Sequence, residues 1–304
     1  MAGATGELGR AAIPPLIEAG HEVVGSARAV ASAEVVRSLG AEARSVDLFD
    51  PEALKAAISG CDAVIRLTTK IPSLTRVRSP RAWEETNRLR TEGARLLLDA
   101  VVAAGCGTYI SESITFPYAD GGDSWLTEDS PVDAASWPVF DAVLAGEDLA
   151  EDFTAGGGKG VVLRFSTLYS NDDALSREIR QAMGRRMFPI FGSGDAYVSP
   201  LWIPDAGAAI AASLNAPPGV YNVCDDAPMR VQDYAATLTR AWQVRSPLRL
   251  PRALAPLLLG GAVNFLLRSQ RVSNERFKRT TGWALRAPSI AEGLVLDGAV
   301  QPPA

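Results

Sequence analysis

Gly3, Gly6 and Gly9 stand three residues apart in the run Gly3-Ala4-Thr5-Gly6-Glu7-Leu8-Gly9, directly ahead of an apolar-periodic segment. Glycines at this spacing let backbone N–H groups approach a ligand closely, and the positive end of the following helix favours negative charge there. The chemistry that such a turn serves is the grip on a diphosphate, most often that of NAD or NADP. Arg28 is the second informative residue, because it stands just past the next strand in Ser26-Ala27-Arg28. An acidic side chain there would hold the ribose hydroxyls of NAD, whereas an arginine pairs with the 2'-phosphate of NADP. With no acid in that segment, NADP is the expected cofactor; the alternative is NAD, with Arg28 a solvated surface residue.

Other chemistries are short of residues. The single histidine, His21, lies in the helix-to-strand turn Ala19-Gly20-His21-Glu22, where a solvated or capping role is expected. Ser-His-Asp catalysis and histidine-ligated metal are therefore excluded, and no metal site is expected. Cys61, Cys106 and Cys224 are odd in number and far apart, so neither a disulfide framework nor a zinc knuckle is read, and a reducing, cytoplasmic setting is expected. Acid–base work falls to Tyr, Lys, Ser, Asp or Glu.

The net charge of -5 gives no electrostatic reason to expect nucleic acid or an anionic membrane. The most apolar stretch, Ala253 to Leu267, is shorter than the ~20 residues that span a bilayer and reads as a packed helix. The partner left is a small-molecule substrate.

The elements that would position these residues alternate. Helices are expected at Glu7 to Ala19, bent at Pro14 and Pro15, then at Ala33 to Leu39, Pro51 to Ile58, Trp83 to Ala104 and Val139 to Phe153. Between them lie strands at 22–26, 43–46, 63–67, 108–111 and 160–165, with a further one at 220–223. Such alternation means right-handed crossovers and an α/β fold, a Rossmann-type doubly wound parallel sheet. Beyond Tyr169 the rhythm breaks, which points to a small C-terminal substrate lobe. Residues 1–170 would form the dinucleotide-binding domain, with 198–224 returning to it; 171–197 and 225–304 would form the lobe.

A buried strand of about five apolar residues normally precedes the glycine turn, yet only Met1 and Ala2 do so here. The first strand is expected to be missing, at a cost of several kcal/mol. A start codon upstream, with a native valine written as Met1, is the reading that accounts for it.

Several segments stand in the order of a known family. They are Gly3-x-x-Gly6-x-x-Gly9, Val46-Asp47-Leu48, Cys61-Asp62-Ala63-Val64-Ile65-Arg66-Leu67-Thr68-Thr69, Tyr109-Ile110-Ser111-Glu112-Ser113, Leu163-Arg164 with Tyr169, and Leu201-Trp202-Ile203-Pro204-Asp205. Together they resemble the extended short-chain dehydrogenase/reductases, the epimerase/dehydratase type of Rossmann protein. The resemblance implies a cofactor site of Gly3, Thr5, Gly6, Glu7, Leu8 and Gly9 at the diphosphate and Asp47 with Leu48 at the adenine. Leu67, Thr68 and Thr69 would border the ribose and diphosphate. It also implies a homodimer through two long helices, Trp83 to Ala104 among them.

The family's working acid, a tyrosine four residues before a lysine, has no counterpart. Counting back from Glu147, which stands where a glutamate follows that lysine, gives Val143 and Val139; a shift of one gives Leu144 and Phe140. Arg90 takes the slot of a helical asparagine, Trp202 that of a late histidine and Val198 that of the arginine that clamps a sugar-nucleotide diphosphate. A nucleotide-sugar substrate is accordingly disfavoured. Arg185-Arg186 is read as a solvated pair and Lys70 as a loop residue.

Ser113 keeps the family's catalytic serine position, where a hydroxyl would polarise a substrate carbonyl. Its neighbours Glu112 and Tyr118, the latter aimed by Pro117, are the candidate substitute acids. The resulting expectation is an NADP-dependent oxidoreductase acting on a small carbonyl-type metabolite through a non-standard site. The alternatives are a non-catalytic NAD(P) sensor and an epimerase or isomerase.

Overall fold

The structure is a computed structural model that describes residues 1–299. Six parallel strands carry the fold: β1 (Val24–Ser26), β2 (Glu42–Arg44), β3 (Ala63–Arg66), β4 (Thr108–Ile114), β5 (Lys159–Phe165) and β6 (Gly219–Val223). β2 pairs with β1, and β3, β4, β5 and β6 run side by side in that order. Met1 and Ala2 stand between the two groups, in the place of the first strand. Ala2 N–H donates to Ile65 O at 2.8 Å, and Leu67 N–H donates to Ala2 O at 2.9 Å. On the other side the Met1 amine reaches Val24 O at 2.6 Å and Ser26 N–H reaches Met1 O at 3.0 Å. Two residues thus bridge the centre of the doubly wound sheet with bonds on both edges.

The helices cover both faces, as parallel strands demand. On one side α1 (Glu7–Glu18) and α8 (Ile203–Ser213) bury Ala12, Ile13, Leu16, Ala209 and Ile210 against Ile65, Ile110 and Leu163. Their axes approach closely enough that a Cβ on Gly207 would lie 2.1 Å from Ala11 O. α1 accommodates Pro14 and Pro15 without ending. On the other side α3 (Pro51–Ile58), α5 (Ala94–Ala103) and α6 (Phe140–Ala155) pack Leu54, Leu97, Val101 and Leu149 on Val64, Tyr109 and Val162. Helix α2 (Val30–Ser38) follows β1, and Asp50 caps α3 by accepting from the N–H groups of Glu52 and Ala53.

Register decides what happens at the carboxyl ends of the strands. Arg66 stands opposite Ser111, and Ser113 opposite Arg164. Side chains alternate between faces with period two, so these four share the face of Val64, Tyr109 and Val162. Apolar packing therefore gives way to buried charge under α6.

Beyond shifts of a few residues at element ends, the sequence expectation and the structure differ in three places. The long helix is divided into a turn at Pro80–Trp83, α4 (Glu84–Arg88), a π-helical turn at Leu89–Gly93 and α5. Strand β4 continues three residues past Ser111, because Glu112 and Ser113 find buried partners that a polar run does not advertise. The stretch 253–267 is not one helix: Gly260, at φ +57°, separates Ala255–Leu259 from Val263–Leu266. Among the described residues no helix is long and apolar enough to cross a membrane.

A separate apolar cluster lies beyond the sheet. It joins Ile179 and Met183 of α7 (Ala174–Gly184), Tyr234 and Leu238 of α9 (Val231–Ala241), and Ile290 and Leu294 to Tyr169 and Trp202.

Candidate active site

The glycine turn is shaped by contacts that only glycine allows. Gly3 has φ +86°, and a Cβ there would lie 2.5 Å from Leu67 O; at Gly9 it would lie 2.3 Å from Gly3 O. Gly6 begins α1 with no side-chain cap, so the first-turn N–H groups have no side chain in front of them. Close by, Thr68 Oγ1 is buried without a hydrogen-bond partner. A dinucleotide diphosphate suits such a site: backbone donors at a helix N-terminus, room held open by glycines, and an orphan hydroxyl. Gly3 N–H is tied to Ser26 Oγ at 3.2 Å, which joins the turn to β1.

The other expected cofactor residues are dispersed around it. Thr5 is half-buried; Glu7 pairs with Arg10 at 2.7 Å and points along the helix surface, and Leu8 packs against the α1 core. Leu67 is buried in the same core, and Thr69 is half-buried. Arg28 is exposed two residues past β1. Asp47 is exposed and accepts from Phe49 N–H at 3.0 Å, while Leu48 lies where a Cβ on Gly93 would meet it at 2.6 Å. Lys70 forms an exposed ion pair with Glu85 at 2.6 Å.

Ser113 lies in a continuous buried network. Its hydroxyl donates to Glu147 Oε1. Arg164 grips the same carboxylate in two places, from Nε at 2.8 Å and from Nη2 at 2.5 Å. Its Nη1 donates to the Tyr118 hydroxyl oxygen at 2.8 Å, and that hydroxyl donates to Asn222 Oδ1 at 2.8 Å. Tyr118 is 1% exposed and burial raises its pKa, opposed by the nearby Arg164 charge. For Arg164 burial acts downward, yet the hydrogen bonds and charge of Glu147 hold the guanidinium above its ordinary value. Each strand supplies one member: Ser113 from β4, Arg164 from β5, Asn222 from β6.

A second charged group lies beside it. Arg66 donates to Ser111 Oγ from Nη2 at 2.7 Å and to Glu112 O at 2.7 Å. Arg90, turned inward on the π-helical segment, meets Glu112 Oε1 at 3.1 Å. Gly146 makes room for both, since a Cβ there would be 3.3 Å from Arg90 O and 3.6 Å from Arg66 Nη2. Glu112 is thus tied to Arg90 through Oε1 and is 5% exposed, while its Oε2 is buried without a partner.

Where the family's proton-transfer pair would stand, the structure has hydrocarbon. Val139, Phe140 and Val143 are buried with Trp83 and Trp137. Phe265 closes this cluster from the C-terminal region, with its ring 5.4 Å from that of Phe140 and 5.5 Å from that of Trp137.

A family model described as "NAD dependent epimerase/dehydratase family" matches residues 1–224. The chain belongs to this family. A curated relative from Streptomyces sp., named 3-diazoavenalumate denitrifying reductase, is 33% identical over 97% of this chain and 98% of its own. Among solved structures, UDP-glucose 4-epimerase from Thermus thermophilus in complex with NAD superposes with a TM-score of 0.75 at 19% identity, covering 97% of this chain and 96% of that one. A nucleoside-diphosphate-sugar epimerase from Pseudomonas aeruginosa gives 0.79 at 15% identity over 97% and 93%. The resemblance in the sequence motifs and the doubly wound fold are both upheld, and the class is that of NAD(P)-binding oxidoreductases and epimerases.

The structure brings Ser113 and Tyr118 into one network through Glu147 and Arg164, and it sets Glu112 in the neighbouring one. Sequence reasoning used Glu147 only as a register marker, Arg66 and Arg164 only as motif residues, and Asn222 only as part of a strand. The available signal was an arginine inside each of two otherwise apolar strands, Arg66 in β3 and Arg164 in β5, where a charge must find a partner.

Proposed function

We propose that this chain is an NAD(P)H-dependent reductase whose acceptor takes hydride without taking a proton from the protein, with NADP(H) preferred through Arg28. The observation that carries the reading is the pair Val139 and Val143, buried in hydrocarbon at the positions of the family's tyrosine and lysine. The remaining hydroxyls do not replace them: the Ser113 hydrogen goes to Glu147 and the Tyr118 hydrogen to Asn222. A carbonyl acceptor becomes an alkoxide on hydride addition and needs a proton, for which a positioned acid is worth ~10²–10⁴-fold.

An acceptor that expels a neutral leaving group has no such need. The relative's name describes a reductase that removes nitrogen from a diazo compound, and an electron-poor diazonium carbon is that kind of acceptor. When bound, a reduced nicotinamide would supply the hydride and be oxidised, while at the acceptor the C–H bond would form and the C–N bond break with its electron pair leaving in N₂. Charge and atoms balance with no proton transferred. In this reading the chain's own residues hold and exclude. Gly3, Gly6, Gly9, Thr68 and Arg28 would hold the cofactor. Ser113, its hydrogen turned to Glu147, faces the acceptor with lone pairs that favour a cationic carbon. The Val139, Phe140 and Phe265 cluster keeps water from the reacting carbon.

The test is NADPH oxidation by the purified chain against two panels, arenediazonium salts and unactivated aldehydes or ketones, with N₂ release measured for the first. One NADPH consumed per N₂ released, with carbonyls inert, is expected. Faster turnover of carbonyls would overturn the proposal, and tight NADPH binding with no turnover of either panel would favour the sensor.

A further inference from the structure

A cavity of about 580 Å³ opens beside this site, within the size range of small-molecule pockets. Its apolar lining is Ala253, Pro256, Val263 and Leu267, and its polar lining includes Arg252, Asp120 and Arg268. Two contacts tie it to the candidate centre. Arg268 Nη1 donates to Tyr118 O at 2.9 Å, and Phe265, between lining residues Asn264 and Leu267, packs its ring on Phe140 and Trp137.

The charges within it are unequally satisfied. Arg268 is compensated by Asp133, to which its Nη2 donates. Asp120 uses Oδ1 to accept from Ser269 N–H at 3.1 Å and Gly122 N–H at 3.0 Å. Arg252 is exposed on the turn Arg252–Leu254 and has no ion-pair partner among the described residues. A guanidinium on the rim of this half-apolar cavity offers a planar, two-pronged donor to a carboxylate.

We infer that this cavity is the substrate subsite and that it takes an amphiphilic acid, an apolar body whose carboxylate is held by Arg252. The body lies on Pro256, Val263 and Leu267, and the free Asp120 oxygen accepts from a hydroxyl or amine on it. The inference rests on the reductase reading for the identity of the chemistry but not for the binding itself.

The experiment is calorimetric titration of the full chain, loaded with NADP, with 4-hydroxycinnamate and with its uncharged methyl ester. The acid is expected to bind at least tenfold more tightly than the ester and to weaken between 0.05 and 0.5 M salt, as a screened ion pair does. Arg252→Leu is expected to lose that advantage and Arg252→Lys to recover part of it. Because Arg252 is exposed, an unchanged melting curve accompanies these changes. Equal binding of acid and ester, or no change in Arg252→Leu, overturns the subsite. If the acid does not bind while NADPH is still oxidised by an arenediazonium salt of equal size that carries no carboxylate, the subsite fails and the reductase reading stands.

Discussion

Asp225 follows β6 and is 1% exposed. Its Oδ1 accepts from Ala227 N–H at 3.2 Å, and its Oδ2 has no partner. Burial, reinforced by the nearby Asp226, Glu292 and Asp205 carboxylates, pushes its pKa from 3.8 to about 8. The sign follows from linkage. The folded state keeps the proton while the unfolded chain releases it, so Asp225 costs nothing below pH 3.8 and progressively more up to about pH 8. At ~1.4 kcal/mol per pH unit, the cost at pH 7 is about 4 kcal/mol, and at pH 4.5 about 1 kcal/mol. Asp225→Asn keeps the shape and removes the titration. Its melting temperature is expected to exceed the parent's on the order of 5–10 °C at pH 7. The gap should narrow steadily as the pH falls. Parallel melting curves for the two proteins from pH 4.5 to 8 would refute the reasoning.

Further predictions follow from the site. Gly9→Ala sets a Cβ 2.3 Å from Gly3 O, so NADPH affinity, read by fluorescence, is expected to fall at least ~10-fold through distortion of the turn. Glu147→Gln leaves Arg164 buried without its carboxylate and is expected to destabilise by about 3–5 kcal/mol in urea unfolding; a loss under 1 kcal/mol would contradict the network. Arg28→Ala is expected to weaken NADPH about 10-fold or more and leave NADH unchanged in the same titration. Val139→Tyr combined with Val143→Lys places polar groups in the Trp137 and Phe265 cluster. It should lower stability by about 1–3 kcal/mol without raising turnover.

The parts of the fold legible in the sequence are those written in periodicity and glycine spacing. The strands around Val64, Ile110 and Val162 are bounded there within a few residues, and helix 51–58 at both ends, because apolar runs between turn residues have few other uses. The turn at Gly3 and Gly9 is legible because only glycine survives a Cβ contact at 2.5 Å or less. The charged interior is not. Glu112 reads as a candidate acid and Glu147, Arg90 and Arg164 as positions in family segments until register and the π-helical turn set Glu112 against Arg90 and Glu147 against Arg164, and no local pattern encodes that pairing. Ala253 to Leu267 misleads for the opposite reason, since apolar continuity hides the break at Gly260.

The central claim is that hydride arrives from the nicotinamide and no protein proton is needed. NADPH carrying deuterium on the transferred position, supplied with an arenediazonium carboxylate in ordinary water, tests it directly. The account predicts deuterium at the ring carbon that lost nitrogen, a primary isotope effect from the labelled cofactor and no solvent isotope effect. Hydrogen from water at that carbon, or a rate that slows in heavy water, would contradict it.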